Sequence, residues 1–149
     1  MSAWWGPVRL HPTTLILLIL LGFAAELLRR VASDRRTTLS FISVILIAAL
    51  PLVGPVGAAL AGALPALVQP RGTPAIARAF NVAQTGLIGL VGGCVYLAAG
   101  GLVVFGNASS VSLLLSEVLL PLLVATLVMM LLNAGLLAGI LNLAGGMSL

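Results

Sequence analysis

Residues 37–69 read TTLSFISVILIAALPLVGPVGAALAGALPALVQ, 33 residues without a charge. As one straight helix this stretch would run about 50 Å at 1.5 Å per residue. A hydrocarbon core is only about 30 Å thick. Near its middle stand Pro51, Gly54, Pro55 and Gly57, a cluster of turn formers. The stretch therefore divides into two short spans, 38–51 and 55–69, of 14 and 15 residues. Both are shorter than the ~17–25 residues of an ordinary crossing. They make either a thin hairpin or a re-entrant pair, which lipid tolerates only when it is buried in protein.

The rest of the chain fits that reading. Of 149 residues, 61% are hydrophobic and 7% are charged. A soluble domain carries about 25% charged residues, and disorder needs low hydrophobicity with high charge. Both are excluded, leaving an integral membrane protein. Thr13–Leu28 forms a first span, interrupted only by Glu26. One arginine precedes it and Arg29, Arg30, Arg35 and Arg36 follow, the reverse of a signal peptide. Residues 79–99 form a fourth span. Residues 111–143 are again too long for one perpendicular helix, and Pro121 divides them. Ser109, Ser112, Ser116 and Glu117 suggest a helix start lying in the interface. A fifth span then covers 121–143, ended by Gly145 and Gly146. The expected fold is one all-α domain over 1–149, a polytopic membrane helical bundle of about five spans.

Orientation follows from charge. All seven basic residues are arginine, which reads as GC-rich bacterial coding and so a bacterial inner (cytoplasmic) membrane. With the N-terminus outside, the loops at 29–36 and 70–78 and the C-terminus are cytoplasmic. Six of the seven arginines then lie inside, as the positive-inside rule requires. Trp4, Trp5 and Tyr96 fall toward the outer face, where aromatic belts form.

Four features could carry function. Gly89 and Gly93 form one GxxxG and Gly135 and Gly139 another. Such faces let helices approach closely, within the chain between spans four and five or across a homodimer. Asn81, Gln84 and Thr85 on the fourth span and Asn133 and Asn142 on the fifth are amides and a hydroxyl in hydrocarbon. They must find partners, either as interhelical hydrogen bonds, with Asn81 near Asn142, or as the lining of a small ligand pocket. Asn81, Gln84 and Asn133 are the candidate ligand-binding residues. Glu26 has Arg29 and Arg30 at pairing distance along a helix. Glu117 has no base near it in sequence; it is a solvated helix-start acid, or an ion or proton site. His11 and Cys94 stand alone, so neither a metal site nor a disulfide framework is expected.

The chain lacks a P-loop, HExxH or GxSxG, and holds three acids in all. General acid–base catalysis needs positioned titratable groups, so neither an enzyme nor a cofactor is expected. There is no dense basic face for nucleic acid.

The run Ala79-Phe80-Asn81-Val82-Ala83-Gln84 opens a Gly/Ala-rich helix after a short Arg/Pro loop. Leu131-Leu132-Asn133-Ala134-Gly135 is followed by a Leu-rich stretch and Gly145-Gly146. In these features the chain resembles the multi-span N-terminal membrane sensor-like modules of bacterial HD-GYP and GGDEF signalling proteins, over about 40–149 and best at 71–142. The resemblance implies a cytoplasmic catalytic domain after the last span, acting on a cyclic dinucleotide or related phosphoester. The residues of such a domain are not in this sequence, so the activity does not carry over. The expectation is a non-enzymatic sensor or anchor module, either a piece of a longer protein or a module acting through a cytoplasmic signalling partner. A small transport component, solute-binding subunit or carrier is the alternative, by analogy with vitamin-transporter subunits of similar helix count.

Overall fold

The computed structural model describes residues 11–31, 41–68, 72–103 and 115–146. They form four α-helices: α1 (Pro12–Val31), α2 (Phe41–Ala66), α3 (Ala75–Ala98) and α4 (Leu120–Gly146). A π-helical turn, Leu115–Leu119, leads into α4. No strand occurs among the described residues. Trp4, Trp5, Ser109, Ser112 and the side chains of Arg29 and Arg30 lie outside the description.

Among the described residues three elements are, by length and composition, long and apolar enough to cross a membrane: Ile42–Ala66, Ala75–Ala98 and Leu115–Leu143; Pro12–Leu28 is a shorter apolar one. The expected five spans are therefore corrected. The stretch expected to form two short helices as a hairpin or re-entrant pair does form two helices, which meet at Gly54 within α2; the count of five spans is what is not supported. At Gly54, φ is 68° and ψ is −172°, a region essentially reserved for glycine. The cause is written in the sequence. Pro55 has no N–H to offer the carbonyl of Pro51, and its ring would clash with that carbonyl in a continuous helix. The residue before a proline is also pushed out of the α region. Glycine meets both demands, and Pro55 then stands at the first position of the second half, where proline is well tolerated.

The break reverses the chain. Leu46 Cδ2 lies 2.8 Å from where a Cβ on Gly62 would stand. In a straight helix these residues, sixteen apart, would be separated by about 24 Å. Each is eight residues from Gly54, so 41–53 and 55–66 run antiparallel about that glycine. This hairpin is the centre of the bundle. Half of its apolar window is buried, against 28% for α3 and 17% for α4. Ala49, Leu50, Val53, Ala58 and Ala61, all on the hairpin, are each at most 1% exposed. Such burial is what a broken helix at membrane depth requires, because lipid cannot satisfy the backbone groups freed at the break.

The other helices dress the hairpin. α1 rests on it where Gly22 meets Pro65 and Ala61. α3 runs antiparallel to 55–66: Gly93 sits against Pro55, Gly89 against Ala58, Gly86 against Ala63, and the Thr85 carbonyl against Gly62. α4 packs on α3 through Gly92 and Met129 and touches α2 little.

These contacts revise the reading of the glycine pairs. Gly89 and Gly93 do serve close packing, but against the hairpin rather than against the last span. A Cβ at Gly135 or Gly139 would meet nothing within 4 Å. That pair makes no intramolecular seam among the described residues.

The reversal has a direct check. Val44 and Leu64 each lie ten residues from Gly54. In a straight helix they would be about 30 Å apart; in packed antiparallel helices the axes are about 8–10 Å apart. Spin labels at Val44→Cys and Leu64→Cys, on a Cys94→Ser background, are expected to report the short distance in nanodiscs. A separation above 30 Å would mean a straight α2.

Candidate functional site

Asn81, Gln84, Thr85 and Ile88 follow a helical spacing of three and four residues, so they share one stripe of α3. Thr126 and Asn133, seven residues apart, share a stripe of α4. Ile42, Ser43, Leu46 and Ile47 form the opening turns of the hairpin. These stripes converge on a cavity of about 240 Å³, to which Met129 and Met130 also contribute.

Ligand-binding candidates Asn81, Gln84 and Asn133 all line this cavity. Gln84 Nε2 donates to Asn133 Oδ1 at 2.7 Å and ties α3 to α4. Gln84 and Asn133 thus form an interhelical amide pair, one turn from Asn81. The Thr85 hydroxyl is directed to its own helix, toward the carbonyls of Asn81 (2.8 Å) and Val82 (3.2 Å). That back-bonding is usual for threonine at membrane depth. Ser43 and Thr126 also line the cavity. Sequence reasoning missed both. The i, i+7 relation of Thr126 to Asn133 carried a signal for Thr126; nothing local marked Ser43, which the hairpin brings in.

The lining comprises six polar side chains of three kinds, amide, serine hydroxyl and threonine hydroxyl, with aliphatic and thioether groups beside them. None of the lining residues is ionisable. No polar side chain among the described residues is fully buried, and Asn133 is exposed on the isolated chain. The amide pair therefore faces an opening rather than a closed core.

Glu117 lies elsewhere. It is half-buried in the π-helical turn, and its backbone carbonyl accepts from the Leu102 N–H at 3.0 Å. The Tyr96 hydroxyl donates to the Leu102 carbonyl at 2.6 Å, and Gly101 lies against the buried Tyr96 ring. These contacts tie the end of α3 to the π-helical turn that opens α4. Thr126 is nine residues beyond Glu117, about 13 Å along the helix, and Glu117 does not line the cavity. Among the described residues no group of three or more His, Cys, Asp or Glu could hold a metal ion.

Compared with family models, with curated proteins and with solved structures, the chain finds no match. The resemblance to HD-GYP and GGDEF sensor modules gains no support from these comparisons.

Proposed function

We propose that this chain is a non-enzymatic integral membrane sensor module, which binds a small ligand between the hairpin, α3 and α4 and relays its presence to a cytoplasmic signalling domain or partner. The observation that carries this reading is the cavity itself. Three separate elements wall it, and one hydrogen bond, Gln84 to Asn133, crosses it to hold α4. α4 packs on α3 but touches the hairpin little, so an occupant that competes for the amide pair changes the seat of α4. A ligand shifts such an equilibrium only by binding the two packings unequally, and a site shared between a fixed and a loosely held helix meets that condition. The uncharged lining supports the non-enzymatic part, since acid–base chemistry needs titratable groups.

The hairpin also bears on sidedness. Because 41–53 and 55–66 lie antiparallel, the segments before and after the hairpin emerge on the same face. That face would hold the arginines of both 29–36 and 70–78, in agreement with the positive-inside rule. On this reading the hairpin is re-entrant, α1, α3 and α4 cross a bacterial cytoplasmic membrane, the N-terminus is outside, and the end of α4 is cytoplasmic.

A test is thermal stability of the protein in nanodiscs against a broad panel of neutral, anionic and cationic metabolites and lipids. Binding to the folded state raises apparent stability, by about 2.7 kcal/mol at a hundredfold excess over Kd. A saturable stabiliser is expected, with its effect lost in Gln84→Leu and Asn133→Leu. A panel without any stabiliser, or a stabiliser indifferent to both substitutions, would defeat the proposal.

The broken helix beside the cavity favours a second reading, a small transport component, because many transporters place their sites at interrupted helices. Uptake of the stabilising compound into proteoliposomes separates the two. Under the transport reading, Glu117 is the group whose change to glutamine should alter uptake.

A further inference from the structure

The bond between Gln84 and Asn133 leaves a defined set of polar atoms unspent. It uses one N–H of Gln84 Nε2 and the Oδ1 of Asn133. The Oε1 acceptor of Gln84 and the Nδ2 donor of Asn133 have no partner among the described residues, and neither do the hydroxyls of Ser43 and Thr126. Exchanging O and N in both amides reverses the bond but leaves the same set: one amide oxygen, one whole amide NH2, the second N–H of the bonded NH2, and two hydroxyls that donate or accept as needed. Leu46, Ile47, Ile88, Met129 and Met130 supply an apolar wall next to them.

We infer that the cavity selects a small neutral molecule carrying an amide-type head, such as a carboxamide, lactam, imide or urea, joined to a compact apolar body. This rests on the reading of the cavity as a ligand site and names the chemistry that fits it. An amide head presents a donor and an acceptor on neighbouring atoms, matching what the pair leaves free. A carboxylate finds no cation in the lining and an ammonium no anion, so each would surrender its hydration without compensation. A hydrocarbon would strip water from the amide pair and leave its donor and acceptor unmet. The volume also sets a limit. At ~30 Å³ per water, the cavity holds about eight waters, room for a single ring with its head group. The two methionines, flexible and polarizable, can close around an aromatic body.

Four probes sharing one ring isolate the head group: benzamide, benzoate, benzylamine and ethylbenzene. Each is titrated against the full chain in nanodiscs, following the thermal midpoint. Benzamide is expected to stabilise in a saturable manner, at least tenfold more tightly than any of the other three. Asn133→Asp puts a carboxylate where the amide donor stood, and Gln84→Glu does so on the facing helix. Each is expected to move the preference from benzamide to benzylamine, a reversal that a misfolded variant cannot produce. Equal or tighter binding of benzoate, benzylamine or ethylbenzene to the unaltered chain overturns the amide assignment but leaves a ligand site in place. Absence of binding by all four also overturns it. The reading of the chain as a ligand-binding module fails separately, only if the broad metabolite and lipid panel gives no stabiliser either.

Discussion

Leucine in place of Gly93 is expected to prevent the hairpin from seating on α3 and to remove most folded protein from a detergent extract. A Cβ at Gly93 would overlap the Pro55 Cα, with Pro55 Cβ at 2.8 Å and Pro55 N at 2.9 Å. These are backbone and ring atoms at the tip of the hairpin, and they cannot rotate away as a long side chain can. Gly89 meets the same obstacle one turn earlier, with the Ala58 carbonyl oxygen at 2.6 Å and its carbon at 2.8 Å. Overpacking by single methylenes costs about 1–3 kcal/mol. Leucine adds four carbons at a backbone contact, so Gly93→Leu should exceed that range, and Gly93→Ala should fall near 3 kcal/mol by the same rule. Gly135→Leu and Gly139→Leu are the matched comparison. Among the described residues nothing lies within 4 Å of a Cβ at either position, and substitutions at such places usually stay within about 0.5 kcal/mol. The thermal midpoint of the four variants checks the contrast. Equal losses in both pairs would show that the reading of α3 against the hairpin is wrong.

Gly54→Val is expected to be the other severe substitution, for a different reason. The loss here is conformational. Backbone held at φ 68°, ψ −172° costs a residue with a side chain about 1–3 kcal/mol, and a β-branched residue at positive φ is a genuine outlier. Valine would also stand in a buried position next to Val53, one of the most enclosed residues of the core. Gly54→Ala should show a smaller loss, since it brings the backbone strain with a single added carbon and no branching. Circular dichroism through the thermal transition gives both values. At Gly72 and Gly100, where φ is also positive, a Cβ meets nothing within 4 Å. Alanine there tests strain without any packing contribution. If Gly54→Ala is silent while Gly72→Ala is not, strain at the hairpin turn does not matter to stability.

The membrane character of the chain was legible from charge content alone. The position of the break was legible too, because Gly54-Pro55 is a local chemical instruction: a missing N–H and a ring that cannot continue a helix. The number of crossings was not. Local composition marks where a helix bends; it does not say how far the returning half is covered by other helices. That depends on α3, whose glycines at 86, 89 and 93 accept the hairpin. The same limit explains the cavity. Asn81 and Gln84 announce themselves as amides in an apolar helix, and Asn133 does so in another. Their meeting at 2.7 Å depends on the antiparallel register of α3 and α4, set by Gly92 against Met129. Ser43 reaches the site only because the chain turns back at Gly54. Gly135 and Gly139 show the opposite failure. The motif is plain in the sequence, yet a small-residue pair becomes a contact only if a neighbour arrives, and within the described chain none does.

The equal count of residues on either side of Gly54 has an evolutionary corollary. Leu46 meets Gly62 because each is eight positions from the turn. One residue inserted into either half rotates everything between it and the far end by about 100° and slides it about 1.5 Å. Leu46 would swing off Gly62, and Ser43 would turn away from the amide pair. A compensating insertion in the other half restores the height of the two partners but leaves both on the wrong faces. The hairpin is thus locked in length as well as in composition: sequence drift can exchange its aliphatic residues one for another, while insertions and deletions between 43 and 62 should be purged.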